Sequence, residues 1–279
     1  MNVRAREHYF KSGSTRLFFR TWEVPAARGT VLVVPGLGEH SGRHGRLARR
    51  LAAADFATVG FDLRGHGRSD GRRGDLERFE EHVEDLAVFR RVVEDQGRPG
   101  PRFLLGHSLG GLIAVHYLLA ERPTDLAGVA LSSPAFAPRL PIAPSRLAAA
   151  RLLVRLLPTV TMDHGIRPRH LTHDVAIAEE CDRDPLFQRR ATPRALLEVM
   201  RAMEEARARA PEIKVPLLVL GGEDDPVVSP MALRDVFERA GSADKHVIVY
   251  PRFYHEVFHE TERDHVLADL VGWLEARCP

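Results

Sequence analysis

Along the chain, short apolar runs alternate with stretches whose apolar positions recur at helical spacing. Thr30–Pro35, Thr58–Asp62, Arg102–Leu105, Gly128–Ser132, Pro216–Leu220 and His246–Tyr250 are nearly continuous in apolar residues. Such runs suit parallel strands covered on both faces. Upstream, His8–Phe10 and Arg16–Val24 flank Lys11-Ser12-Gly13-Ser14 and predict a hairpin. His82 to Glu94 and Leu109 to Glu121 carry the amphipathic pattern of helices. Strands alternating with helices predict an α/β protein: a doubly wound, mostly parallel sheet of about eight strands, with helices on both faces.

The alternation stops between residues 135 and 210. Pro134, Pro138, Pro141 and Pro144 open this stretch, and no strand is expected within it. Ser145 is a candidate cap for a helix running to Leu157, where Pro158 stops it, and a second helix is expected over Arg194 to Arg209. The stretch has 13 arginines against 9 acidic residues, whereas the rest of the chain is net negative. An inserted helical cap follows, dividing the chain into a core over 1–134, a cap over 135–210 and a second core part over 211–279.

A chain of 279 residues is long enough for one α/β domain with such an insertion. No apolar run reaches the roughly 18 residues of a membrane span; the richest, Leu147 to Leu157, is broken by Arg151 and Arg155. Met1 to Phe10 lacks the apolar stretch of a secretory signal, so a cytoplasmic location is expected. Cys181 and Cys278 cannot make a disulfide framework. A net charge of +2 gives no reason to expect nucleic acid as a partner.

Gly106-His107-Ser108-Leu109-Gly110 fits G-x-S-x-G between a predicted strand and the apolar helix opening at Gly111. In that context the serine sits on a sharp turn, its hydroxyl is exposed at the carboxyl edge of the sheet, and the helix N-terminus offers free N–H groups to an oxyanion. A serine needs a base, and the base needs an orienting carboxylate. After the cap, the strand Pro216–Leu220 runs into Gly222-Glu223-Asp224-Asp225, and the last strand runs through Phe253-Tyr254 to His255. The order serine, acid, histidine is the one this arrangement requires.

Two other chemistries compete for these residues. His255-Glu256-Val257-Phe258-His259 spells H-E-x-x-H, but the first histidine leaves a strand through a loop and no third ligand motif follows, so no metal or other cofactor is expected. Gly36-Leu37-Gly38-Glu39-His40-Ser41-Gly42, with Asp62 ending the next strand, invites a dinucleotide reading. A second oxyanion donor, the Leu37 N–H, uses the same glycines better.

With Pro35-Gly36-Leu37-Gly38-Glu39-His40-Ser41-Gly42-Arg43, Phe61-Asp62-Leu63-Arg64-Gly65-His66-Gly67-Arg68-Ser69-Asp70-Gly71, Gly106-His107-Ser108-Leu109-Gly110-Gly111 and Tyr254-His255-Glu256, the chain resembles the monoacylglycerol lipase group of the α/β-hydrolases over nearly its whole length. The resemblance implies serine hydrolysis of monoacylglycerols beneath a helical cap, with Ser108 as nucleophile, Asp225 as acid and His255 as base. Asp224 is the alternative acid. Leu37 and Leu109 would supply the oxyanion N–H groups, and Gly36, Glu39, Leu152 and Leu156 are the candidate substrate contacts. Pro35 stands where the family has histidine, and its fixed φ is expected to brace the loop instead. Lysophospholipids or short-chain esters are alternative substrates, and a non-catalytic binding protein of the same fold is the alternative of another class. Outward-facing leucines beside Arg151 and Arg155 predict transient contact of the cap with a membrane or micelle surface; the alternative is a buried cap helix packed on the helix over Arg194 to Arg209. The oligomeric state is not readable from the sequence.

Overall fold

The computed structural model describes residues 3–98, 100–140 and 142–278; Met1, at the start of the expected signal-free terminus, and Pro141 lie outside them. The chain begins with strands β1 (Ala5–Ser12), β2 (Thr15–Trp22) and β3 (Gly29–Val34), then helix α1 (Gly45–Ala52). β4 (Phe56–Phe61), α2 (Glu80–Glu94), β5 (Arg102–His107), α3 (Leu109–Glu121) and β6 (Leu126–Ser132) follow. Beyond β6 come α4 (Pro144–Leu156), the two-residue strand β7 (Met162–Asp163), α5 (Val175–Arg183), the equally short β8 (Arg190–Ala191) and α6 (Pro193–Ala208). β9 (Leu217–Gly222), α7 (Pro230–Arg239), β10 (Lys245–Tyr250) and α8 (Arg263–Glu275) complete the chain.

The main sheet has eight strands in the order β1-β2-β4-β3-β5-β6-β9-β10. The β1–β2 and β2–β4 pairs are antiparallel and every other pair is parallel. All residues of β3, β4 and β9 are buried, as expected of strands covered on both faces. Alternate side chains divide between two cores. Leu32, Val34 and Leu104 face α2, α3 and α7, whereas Val31, Val33, Phe103 and Leu105 face α1 and α8. Removing a buried ring such as Phe103 would cost about 3–5 kcal/mol.

The hairpin turns on Gly13-Ser14, with Gly13 at φ +57°, so Lys11 and Ser12 belong to β1 rather than to the turn. Three details of the 135–210 stretch differ from expectation. Pro144, with its φ preset, opens α4 at its first position, and Ser145 lies inside the helix. β7 pairs with β8, a two-residue ladder too short to leave a periodic signal. A third helix, α5, is capped by Asp174, whose side chain accepts from the Ile177 N–H at 3.2 Å, and buries only Ile177 and Cys181. The expected second helix is α6, capped by Thr192 onto the Ala195 N–H at 3.2 Å. Its buried Ala195, Ala202 and Ala206 join the same core as α2 and α3, and His116 of α3 lies 2.9 Å from the Ala202 carbonyl oxygen through Nε2. α6 is therefore the crossover helix between the parallel strands β6 and β9, as well as the last helix of the inserted stretch.

Candidate active site

Ser108 joins β5 to α3 at φ +52° and ψ −117°, a conformation that costs energy for any residue with a Cβ. The neighbouring glycines make this turn feasible. A Cβ on Gly106 would collide with the Gly110 carbonyl, and one on Gly110 with the Val34 carbonyl. The turn is fixed by the Ser108 N–H donating to Ser132 O at 2.9 Å, while Ser108 O accepts from the Gly111 and Ala135 N–H groups at 3.0 Å each. Leu109 begins α3, so its N–H is one of the first-turn donors without a partner inside the helix.

The loop after β9 presents two adjacent acids in opposite ways. Asp225 is buried and Asp224 is exposed. Asp225 Oδ1 accepts from the N–H groups of Val227 at 2.7 Å and Val228 at 3.0 Å, and Oδ2 accepts from His255 Nδ1 at 2.7 Å. Holding the ring through Nδ1 leaves Nε2 as the nitrogen able to take a proton. Burial disfavours the charged ring, but the Asp225 carboxylate, backed by Glu256 and Glu39, outweighs it and raises the His255 pKa above the ordinary histidine value.

Gly36, Leu37, Ser108 and His255 line one cleft, roofed by Ile166, Leu171 and Phe187 of the inserted stretch. The cleft holds about 20 Å³, roughly one water molecule. Beneath it lies a buried polar cluster. Glu39 Oε2 accepts from the Gly36 N–H at 2.6 Å, tying down the loop that carries Leu37. Arg43 Nη2 donates to both Glu256 oxygens at 2.7 Å. Burial raises the Glu256 carboxyl, but Arg43 and His259 overcome it and hold the group well below the usual carboxylate range. Burial, reinforced by His107, His259 and Arg43 and opposed by Glu39, pushes His44 down to about 4, and burial also lowers His107, whose Nδ1 lies 3.2 Å from Ser132 O.

Residues 25–262 match the family described as serine aminopeptidase, S33 (Hydrolase_4). A monoacylglycerol lipase of Mycolicibacterium smegmatis is 32% identical over 274 residues, covering 96% of both chains. The crystal structure of Paleococcus ferrophilus monoacylglycerol lipase aligns with a TM-score of 0.83 at 34% identity, over 94% of this chain and 99% of that one. The chain belongs to the monoacylglycerol lipase group of the α/β-hydrolases. It is an ester hydrolase. A Bacillus subtilis phospholipase is more distant, 28% identical over 247 residues and covering 88% of this chain and 95% of that one.

The competing motifs have other uses in this hydrolase. His255 turns to Asp225, whereas His259 Nδ1 lies 2.7 Å from Glu256 Oε2. Val257–His259 form a short 3-10 turn, so the two histidines do not share a helical face. Glu39, His107 and Glu256 do bring ligand atoms within 4.8 Å of one another, but Arg43 already supplies the cation there. Asp62, the acid a dinucleotide site would need, accepts instead from the Ser41 N–H at 2.7 Å and the Arg68 N–H at 2.8 Å, tying two loops together.

Of the expected substrate contacts, Gly36 and Glu39 line the cleft, but Leu152 and Leu156 do not. They are 58% and 68% exposed, because α4 turns Leu147, Ala150, Leu153 and Val154 inward and leaves the opposite face to solvent. Sequence reasoning did not reach the roof residues Ile166, Leu171 and Phe187, which sit in irregular segments without a periodic pattern. It also gave no role to Arg43, although that residue stands inside the quoted motif.

Proposed function

We propose that this chain hydrolyses the ester bond of monoacylglycerols to fatty acid and glycerol through an acyl-enzyme on Ser108. The observation that carries the reading is the Asp225–His255 pair at 2.7 Å, beside a serine strained onto the N-terminus of α3. Ser108 Oγ attacks the acyl carbonyl while His255 Nε2 takes its proton, and Asp225 holds the imidazole in the tautomer this needs. The N–H groups of Leu37 and Leu109 bind the oxyanion. His255 then returns the proton to the glycerol oxygen as the C–O bond breaks. A water attacks the acyl-enzyme by the same route and releases the fatty acid.

The inserted stretch acts as a cap. A cleft of about 20 Å³ cannot hold an acyl chain, so the side chains of Ile166, Leu171 and Phe187 rearrange when substrate binds. On its outer side, Leu140, Ile142, Leu152, Leu156 and Leu157 are exposed near Arg151 and Arg155. Such a mixed surface suits transient docking on the membranes or micelles in which monoacylglycerols reside.

The similarity to a phospholipase favours lysophospholipids as the second reading. A fluorophosphonate should label Ser108 and fail to label Ser108→Ala. A panel of monoacylglycerols, lysophospholipids and aryl esters then ranks the substrates. Labelling elsewhere would overturn the nucleophile, and a higher kcat/KM on lysophospholipids would replace the substrate.

A further inference from the structure

The segment that carries His255 sends its polar side chains to three different parts of the molecule. His255 reaches Asp225 and Glu256 reaches Arg43, but Glu260 has no part in the chemistry set out above. Its side chain is 2% exposed, and both oxygens are occupied. Oε1 accepts from the Tyr254 N–H at 2.8 Å and from His173 Nδ1 at 2.9 Å, and Oε2 accepts from the His173 N–H at 3.1 Å. Tyr254 immediately precedes His255, and His173 belongs to the cap.

The cap residues around His173 are fastened to this segment repeatedly. The Glu256 N–H donates to Leu171 O at 2.7 Å, and Thr172 Oγ1 donates to His259 O at 2.8 Å. The His173 ring lies against that of Tyr254, with centroids 3.7 Å apart, and Arg263 Nη1 donates to Asp174 Oδ2 at 2.9 Å. Leu171, at the start of this strip, is also a roof residue of the cleft. A buried carboxylate costs free energy unless its oxygens are satisfied, and apart from the adjacent Thr261 N–H at 3.4 Å, the donors to Glu260 come from the histidine segment or from the cap.

We infer that Glu260 is a positioning residue: by holding the Tyr254 amide and His173 together, it fixes where His255 sits and links that position to the roof of the cleft. The inference rests on His255 being the base. Small displacements of a general base are costly, because proton transfer needs hydrogen-bond distance and alignment. The cap then contributes to the rate as well as to the substrate pocket, since the strip that roofs the cleft through Leu171 is joined to the loop that carries the base.

The test uses Glu260→Ala, Glu260→Gln and His173→Ala in the full chain, with a soluble short-chain ester that does not need the outer cap surface. Glu260→Ala should lower kcat on the order of 100-fold while KM stays within about 2-fold. The acid limb of kcat/KM should move to lower pH, because a loosened His255 loses part of its contact with Asp225; Glu256, Glu39 and His107 are the other titratable groups facing it. Glu260→Gln keeps a carbonyl for the Tyr254 amide and should recover most of the rate, and His173→Ala should lose only part of it. Wild-type kcat and an unshifted acid limb in Glu260→Ala, whatever its melting temperature, would reduce Glu260 to a structural tie. Should that variant fail to fold, wild-type kcat and an unshifted acid limb in His173→Ala overturn the inference. Activity surviving His255→Ala would instead sink the base assignment, and the inference with it.

Discussion

α3 and α4 are both thirteen residues long, yet α3 buries eleven of its residues and α4 buries none of those described. The first sits between the sheet and α2 and carries the turn on which Ser108 is strained. The second rests on α6 along one half-buried face and leaves Leu152 and Leu156 to solvent. Strain of the kind seen at Ser108 persists only where the surroundings over-determine it, and the packed core provides that. α4 contributes none of the roof residues Ile166, Leu171 and Phe187, and a helix without buried residues can shift at little cost. Substitutions in the core should therefore damage every substrate alike, and substitutions on the outer cap should distinguish among substrates.

The largest expected effect tests the core side of this contrast. Asp225→Asn should lower kcat about 10⁴-fold, because His255 loses the partner that fixes its tautomer. Asp224→Asn, one residue away and exposed, should change it by less than about 3-fold. If the two results were exchanged in folded proteins, the acid would be Asp224. Next comes the oxyanion loop. Pro35→Gly should lower kcat roughly 10-fold with little change in KM, because the Leu37 N–H, as the proposed oxyanion donor, would be needed chiefly in the transition state. A change confined to KM would mean that Pro35 only ends a strand and that the Glu39–Gly36 bond alone holds the loop.

On the cap side, Leu152→Ser with Leu156→Ser should reduce turnover of micellar long-chain monoacylglycerol about 10-fold and leave a soluble short-chain ester nearly unchanged. Equal losses on both, with a lower melting temperature, would make these leucines packing residues and erase the contrast. The smallest effect concerns acid stability. Burial pushes His44 and His66 down to about 4. Between about pH 6.5 and pH 4 the unfolded chain takes up protons at these positions and the folded chain does not, so stability falls as pH falls. The melting temperature should drop across that range, and His66→Gln should flatten the drop by on the order of a few °C. A profile unchanged by His66→Gln would place the acid sensitivity elsewhere.

The same contrast explains what could be read from the amino-acid order. β3, β4, β5 and β9 announce themselves because strands buried on both faces must be apolar almost throughout. Ser108 and His255 stand out because their turns need particular neighbours, and Asp225 could be narrowed to one of two adjacent acids. Which acid reaches the histidine depends on a loop whose course is set by Phe253 and Tyr250, whose carbonyls accept from the Asp224 and Glu223 N–H groups, and local spacing does not encode that. In the cap, α5 buries only two residues and β7–β8 is two residues long, so neither produces a period. The direction of Leu152 and Leu156 was open for the same reason: the leucines of α4 exceed one stripe, and only the position of α6 decides which face is covered.

The double membership of α6 bears on how such enzymes are recombined. A graft that exchanged the whole of 135–210 for a foreign cap would remove the helix that returns the chain from β6 to β9, along with the alanines that fit against α3. The transplantable unit is shorter, from the end of β6 to the Thr192 cap, with α6 left in the recipient. Donor caps of very different length should be accepted at those two junctions, provided that they supply a strip able to grip the loop around Tyr254.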